Sequence, residues 1–316
     1  MSSRFFRKFR SLITGLLCLF VWFPTLVGAA PMVESRQDKP TADEKNGQQP
    51  DSTKDQKNNE GEKTKDTPQK PPKAEKDQRF KAGKPSTWTA EQLAEVVLFA
   101  YGSRPVQNYV TTNMTEDGVI RLSTGEDTPP MEGRFTRRVL RKESSDKDCV
   151  RVDVVFPKQT FTFGFNGVAS WAAQDGNAFT PKPEAEASFL ASLTHDYWAL
   201  LRYKEDGTTL TRAGSERITG IDTSILELTH KDQTKTRYFI SDKSYRILHL
   251  EYEIPLAPGA PPTKFRESFY DFRNVQGVLV PGRTVLYENG KFVQEIELKE
   301  TKCRLAKLDE EIFLRF

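Results

Sequence analysis

Residues 277–301 read GVLVPGRTVLYENGKFVQEIELKET. Two runs of alternating apolar and polar residues flank Asn289-Gly290, a dipeptide suited to a type I′ turn because both central positions of that turn need φ > 0. A two-residue loop pairs Glu288 with Lys291, Tyr287 with Phe292, Leu286 with Val293, Val285 with Gln294, Thr284 with Glu295 and Arg283 with Ile296. That pairing puts Val285, Tyr287, Phe292, Ile296 and Leu298 on one face, with Arg283 and Gln294 among them. Thr284, Glu288, Lys291, Glu295, Glu297 and Lys299 fall on the other, joined by Leu286 and Val293. A hairpin with one apolar face belongs to a sheet that buries that face. Arg283 is the one residue in it that a plain core does not explain.

The same patterning runs upstream. In CVRVDVVF (149–156) Val150, Val152, Val154 and Phe156 share a face, with Cys149, Arg151 and Asp153 opposite. TFTFGF (160–165) places Phe161, Phe163 and Phe165 together and leads through Asn166-Gly167 to Trp171. In RILHLEYEI (246–254) Arg246, Leu248, Leu250, Tyr252 and Ile254 alternate with Ile247, His249, Glu251 and Glu253. Strand pairs are predicted at 208–218 with 223–230, 235–241 with 245–254, and 263–272 with 278–288, mostly across short loops. Parallel crossovers would need helical stretches between strands. Two helices are predicted in all, with strands beginning after Pro105. One opens at a capping box, Thr89-Ala90-Glu91-Gln92, and carries Leu93, Val96, Val97, Ala100 and Tyr101 at helical spacing. The other spans 184–201, with Phe189, Leu190, Leu193, Tyr197, Leu200 and Leu201 along one side. The fold class is α+β, mainly β: a curved, incomplete antiparallel β-barrel, apolar side inward, closed by about two helices.

The N-terminal part of the 316 residues differs in kind. Residues 1–30 read as a secretory signal peptide: Arg4, Arg7, Lys8 and Arg10 form a basic start, LITGLLCLFVWF an apolar stretch, and VGAA offers a cleavage site. The apolar run up to Pro24 is short for a spanning helix, so cleavage is expected over an uncleaved anchor. Residues 31–85 hold 13 Lys and Arg against 11 Asp and Glu, with Phe80 as the single aromatic. A disordered, solvated linker is expected there. Residues 86–316 then form one domain. The precursor's formal charge of +3 comes from the leader, since the domain holds 30 Lys and Arg against 33 Asp and Glu. Nucleic acid as a partner loses its usual electrostatic footprint.

No constellation for catalysis or for a metal or cofactor stands out. The domain's three histidines, His195, His230 and His249, lie outside any cluster with metal-ligand spacing and read as polar-face or boundary residues. GxSxG, Walker A and Rossmann patterns are missing from the sequence. Cys149 and Cys303 remain after signal cleavage, and an oxidising compartment permits their pairing. Both are expected on the outer face at opposite ends of the sheet in sequence, so a disulfide requires the sheet to curl its ends together.

Four stretches carry a resemblance to a known family: the opening helix ending in AYGSR, the strand-turn FGFNGVASW, AGSERITGIDTSILEL followed by RYFISDKSYRILHLEYE, and FYDFRNVQGVLVPGRTVLYENGKFVQEIEL with LDEEIFLRF. In that order the chain resembles the LolA-like group of periplasmic lipoprotein carriers, which includes LolB-like and RseB/MucB-like proteins. The resemblance covers nearly all of 88–316. It implies a half-barrel whose apolar cavity takes acyl chains, with no catalytic residues to carry over. The dedicated carrier continues past its terminal Phe-x-Phe, whereas this sequence stops at Phe316, and the charged linker is unusual for a carrier. A relative of unassigned cargo is therefore expected.

The expected function is non-catalytic periplasmic binding of a lipid or lipoprotein acyl group, as a carrier or an outer-membrane lipoprotein-sorting-like protein. The chain is expected to act as a monomer and without cofactor or metal. The alternative is an envelope sensor or adaptor of the RseB type that binds a protein partner. Candidate cavity-lining residues are Phe161, Phe163, Phe165, Leu248, Leu250, Tyr252, Val285, Tyr287, Phe292, Ile296 and Leu298. Arg283 is expected to pair with an acid, sit at the rim or meet a headgroup, because an unpaired guanidinium among apolar neighbours is costly.

Overall fold

The structure, a computed structural model, describes residues 87–125, 127–305 and 308–314. The expected leader (1–30) and linker (31–85) lie outside the described residues. The helices are α1 (Ala90–Ala100), α2 (Arg104–Val110), α3 (Pro183–Thr194) and α4 (Tyr197–Leu201). The strands are β1 (Asn113–Leu122), β2 (Met131–Leu140), β3 (Cys149–Phe156), β4 (Gln159–Asn166), β5 (Ser170–Gln174), β6 (Asn177–Phe179), β7 (Thr209–Ile218) and β8 (Ile221–Thr229). They continue with β9 (Lys235–Ser241), β10 (Ile247–Pro255), β11 (Pro262–Tyr270), β12 (Arg273–Val275), β13 (Val278–Val280), β14 (Arg283–Glu288) and β15 (Lys291–Cys303).

Thirteen strands form one antiparallel sheet in the order β6-β5-β4-β3-β2-β1-β15-β14-β11-β10-β9-β8-β7, and β12 and β13 form a separate ribbon. The sheet is mainly a meander, as the short loops predict. The join of β1 to β15 brings its two sequence halves side by side. It does not close, since β6 and β7 remain edges.

Local chemistry sets the elements. Thr89 caps α1: its hydroxyl accepts from Gln92 N at 3.2 Å, and the Gln92 side-chain oxygen Oε1 accepts from Thr89 N at 2.9 Å. The expected strand character after Pro105 gives way to α2, in whose first turn the proline's fixed φ and missing N–H cost nothing. The helix expected over 184–201 breaks at His195-Asp196, where the Asp196 side chain accepts from Ala199 N at 2.8 Å and starts α4. Asn289 and Gly290 adopt φ of 49° and 80°, as the type I′ turn requires. The Asn289 amide donates to the Lys264 carbonyl at 2.7 Å, tying the turn to β11.

Bulges then alter which face each strand presents. In the β14–β15 hairpin Tyr287 pairs with Phe292, but Leu286 pairs with Gln294, so Val293 is extra. The extra residue moves Arg283 opposite Glu297 rather than Ile296. The expected common face is thereby split. Gln294, Ile296 and Leu298 look toward the concave side with Thr284 and Leu286, while Arg283, Val285, Tyr287 and Phe292 take the convex side. A second bulge, between Ile247 and His249, gives Ile247 the fully buried inward place expected for Leu248. A third, opposite Asp117 and Gly118, turns Cys303 inward beside Met114.

The core lies on the concave side in two parts. One packs α1 and α4 against β7–β11, around Leu93, Val97, Tyr101, Leu226, Ile240 and Leu250. The other gathers Ile120, Phe135, Val154, Phe161, Phe163 and Leu298 on β1–β4 and β15. Helix α3 brings Phe189 against the second cluster. On the convex side the Trp171 indole donates to the Phe313 carbonyl at 2.9 Å, and Arg151 donates to that of Ile312 at 3.1 Å. No helix among the described residues is long and apolar enough to cross a membrane.

Candidate functional site

A cavity of about 220 Å³ opens between the α3–α4 segment and the concave face of β1–β4, β14 and β15. Its walls differ in chemistry. One end is apolar, lined by Ile120, Leu122, Phe135, Val152, Val154, Phe161, Phe163, Phe189, Leu286, Ile296 and Leu298. The other is polar, bordered by Glu116, Arg137, Arg141, Asp148, Asp196, Tyr197, Trp198, Arg202 and Glu267.

The alternation of β3 and β4 places the aromatic wall. Val150, Val152 and Val154 project inward with Phe161, Phe163 and Phe165, and Phe189 of α3 meets Phe163 at a centroid distance of 5.8 Å. Of the residues singled out in the sequence, Phe161, Phe163, Phe165, Tyr252, Ile296 and Leu298 border the cavity. Leu250 is fully buried in the core beyond it, and Leu248 is half-buried at its bulge. Val285, Tyr287 and Phe292 stand on the convex side, where Tyr287 and Phe292 meet edge to face at 6.5 Å.

Arg283 is on the convex side too. It pairs with Asp271 at 3.1 Å and Glu295 at 3.4 Å, with its guanidinium 4.2 Å from the Tyr270 ring centre. Of the three places expected for it, the structure assigns the pairing with an acid. Cys149 and Cys303 are both free and buried. They lie on β3 and β15, three strands apart in the order β3-β2-β1-β15, so the strand spacing alone separates them by about 14 Å. A disulfide needs Cα atoms within about 7 Å, and the two thiols also occupy opposite faces. Burial pushes the Cys303 thiol up to about 11, and the nearby Glu116 carboxylate adds to the shift.

The polar end is where sequence reading was silent, because its groups come from five separate segments. Arg137 pairs with Glu116 at 2.6 Å; burial opposes its charge, but the carboxylate outweighs that and raises its pKa. Arg202 reaches Asp148 at 2.5 Å, Glu205 at 3.1 Å and the Lys142 carbonyl at 2.9 Å. Arg141 lies with its guanidinium 4.1 Å from the Trp198 ring centre. Burial lowers its pKa, and the neighbouring Arg202 cation lowers it further. Burial pushes the Asp196 carboxyl up to about 6, against the pull of Arg141 and Arg137. Glu267 rises to about 7, through burial first and the nearby Asp196 second.

The histidines are buried rather than at a polar boundary. His195 Nδ1 and His230 Nε2 both lie 2.7 Å from the Thr236 hydroxyl, and His195 stacks on Tyr252 at 4.4 Å. Burial drives the pKa of His195 down to about 3, with His230 adding to the shift. Among the described residues no group of three or more His, Cys, Asp or Glu is placed to hold a metal ion.

No family model matches the sequence, and no curated protein matches it. Solved structures with a similar chain course include the following three. An outer membrane lipoprotein-sorting protein domain from Vibrio parahaemolyticus gives a TM-score of 0.49 at 13% identity, over 70% of this chain and 94% of that one. A DUF1329 family protein from Desulfovibrio piger gives 0.48 at 11%, over 72% and 98%. A LolA superfamily protein from Nitrosomonas europaea gives 0.44 at 15%, over 72% and 98%.

Proposed function

We propose that the protein is a non-catalytic binder of an acyl chain, from a lipid or a lipoprotein, acting as a carrier in the periplasm after export. The observation that supports this reading is the cavity's apolar end, walled by phenylalanine and aliphatic side chains from both sheet and helix. The cavity holds about 220 Å³. Scaled from a cavity of about 150 Å³ that holds benzene, the space takes about nine carbons. Burying about nine methylenes is worth on the order of 7 kcal/mol before the cost of immobilising the chain. The ligand-facing residues are then Phe161, Phe163, Phe165, Tyr252, Ile296 and Leu298, joined by Leu286 and Phe189.

Organic extraction of protein purified from an envelope fraction, followed by mass spectrometry, tests the reading. Stoichiometric acyl species support it. An extract free of lipid together with a co-purified protein partner would favour the envelope adaptor instead.

A further inference from the structure

Among the described residues, three buried donors at the polar end of the cavity have no acceptor: Arg141 Nε, the Tyr197 hydroxyl and Trp198 Nε1. Each belongs to a residue that borders the cavity, and Tyr197 and Trp198 are each only 5% exposed. A buried donor left unpaired costs the full desolvation of that group, so a native fold rarely leaves one without reason, let alone three around one cavity. Arg141 differs from the other two cavity arginines. Arg137 has Glu116 and Arg202 has Asp148, in close ion pairs, whereas Arg141 Nε meets nothing. The side chain is nonetheless held in place by the face of Trp198.

We infer that the polar end is a head-group site for a single negative charge, and that the preferred ligand is a fatty acid whose carboxylate accepts from Arg141, Tyr197 and Trp198 while its chain lies along the phenylalanine wall. A carboxylate fits on two grounds. It is acceptor-only, and each of the three unpaired groups can donate. Its charge complements Arg141, the arginine bordering the cavity that has no ion-pair partner among the described residues. The acids around the site are Asp148, already paired with Arg202, Glu116, paired with Arg137 and close to Tyr197, and Asp196, which caps α4, with Glu267 also on the cavity wall. Burial shifts Asp196 and Glu267 toward the neutral form, which limits their repulsion of an incoming anion.

This inference rests on the acyl-binding reading, and one calorimetric comparison separates the two. Octanoate and 1-octanol carry the same chain and differ in the head. At about pH 6.5 octanoate is ionised. Octanoate is expected to bind at least tenfold more tightly than octanol. Arg141→Gln should bring the ratio close to one, and Trp198→Phe or Tyr197→Phe, which keep the ring, should each reduce it several-fold. Should Arg141→Gln fail to fold, the two ring-preserving variants and the wild-type ratio still decide the matter. Octanol binding as well as octanoate, or a ratio unmoved by all three variants, overturns the head-group site and leaves the acyl cavity standing. Binding of neither probe overturns both.

Discussion

Leu286 lies opposite Gln294, one residue out from the pairing that a regular hairpin would give, because Val293 bulges from the strand between them. The bulge decides which residues can meet a ligand: Leu286 borders the cavity and Tyr287 does not. Leu286→Trp should therefore fill the cavity and weaken binding of an eight-carbon probe at least tenfold while leaving the fold intact. Tyr287→Ala should leave binding within about twofold. The reverse pattern in a titration of the two variants would restore the unbulged register.

Gly118 sits where β1 meets another bulge of β15, and a Cβ there would lie 2.2 Å from the Glu297 carbonyl oxygen and 2.9 Å from the Leu298 Cα. Both atoms are backbone, so a rotamer change relieves neither contact. Gly118→Ala should destabilise by about 2–3 kcal/mol, the cost of overpacking a close strand contact. A urea midpoint unchanged from wild type would contradict this approach of the two strands.

Much of the fold was legible from period two alone. Val150, Val152 and Val154 point inward as their alternation predicts, and Phe161, Phe163 and Phe165 follow. Asn289-Gly290 formed its turn. Alternation fails wherever one residue is extra, since a single insertion exchanges the faces beyond it. Val285, Tyr287, Leu248 and Cys303 were misplaced for that reason. The bulges leave no mark in composition: Val293 is an ordinary strand residue that a regular ladder would also accept. The polar end was illegible for another reason. Arg141, just past the end of β2, and Trp198 on α4 are remote in sequence, and only the fold stacks them. Asp196 likewise has Arg137, Arg141 and Asp148 as its charged neighbours in space, none of them near it in sequence.

Arg202 is buried and anchors the 142–148 loop through Asp148 and the Lys142 carbonyl. Arg202→Met removes the cation and leaves the Asp148 carboxylate buried with the Lys142 N–H as its remaining bonded donor. Loss of one partner of a buried pair typically costs about 3–5 kcal/mol. Chemical denaturation should register a loss of that order, and a loss under 1 kcal/mol would place the pair in solvent.

Glu267 gives the fold a pH dependence of defined sign. Its folded pKa is raised from the usual 4.5 to about 7, so its carboxyl favours the folded state below the unfolded value and loses that advantage as pH rises through 7. Glu267→Gln should be nearly neutral at about pH 4.5 and stabilising by on the order of 2 kcal/mol at about pH 8. His195 acts in the opposite direction. With its folded pKa depressed to about 3, its contribution is complete above about 6.5 and falls away as pH drops below that value. Thermal melts of wild type and Glu267→Gln across this range should converge at low pH and separate at high pH. Parallel curves would contradict the burial of Glu267 as a charge-averse group.

The cavity as an acyl site is tested most directly by titrating the protein with a fluorescent fatty acid, with Ile296→Trp, which fills the apolar end, as the control. Saturable one-to-one binding in the wild type and its loss in the variant is the result predicted here. Absence of saturable binding, or binding of equal strength after the cavity is filled, would contradict it.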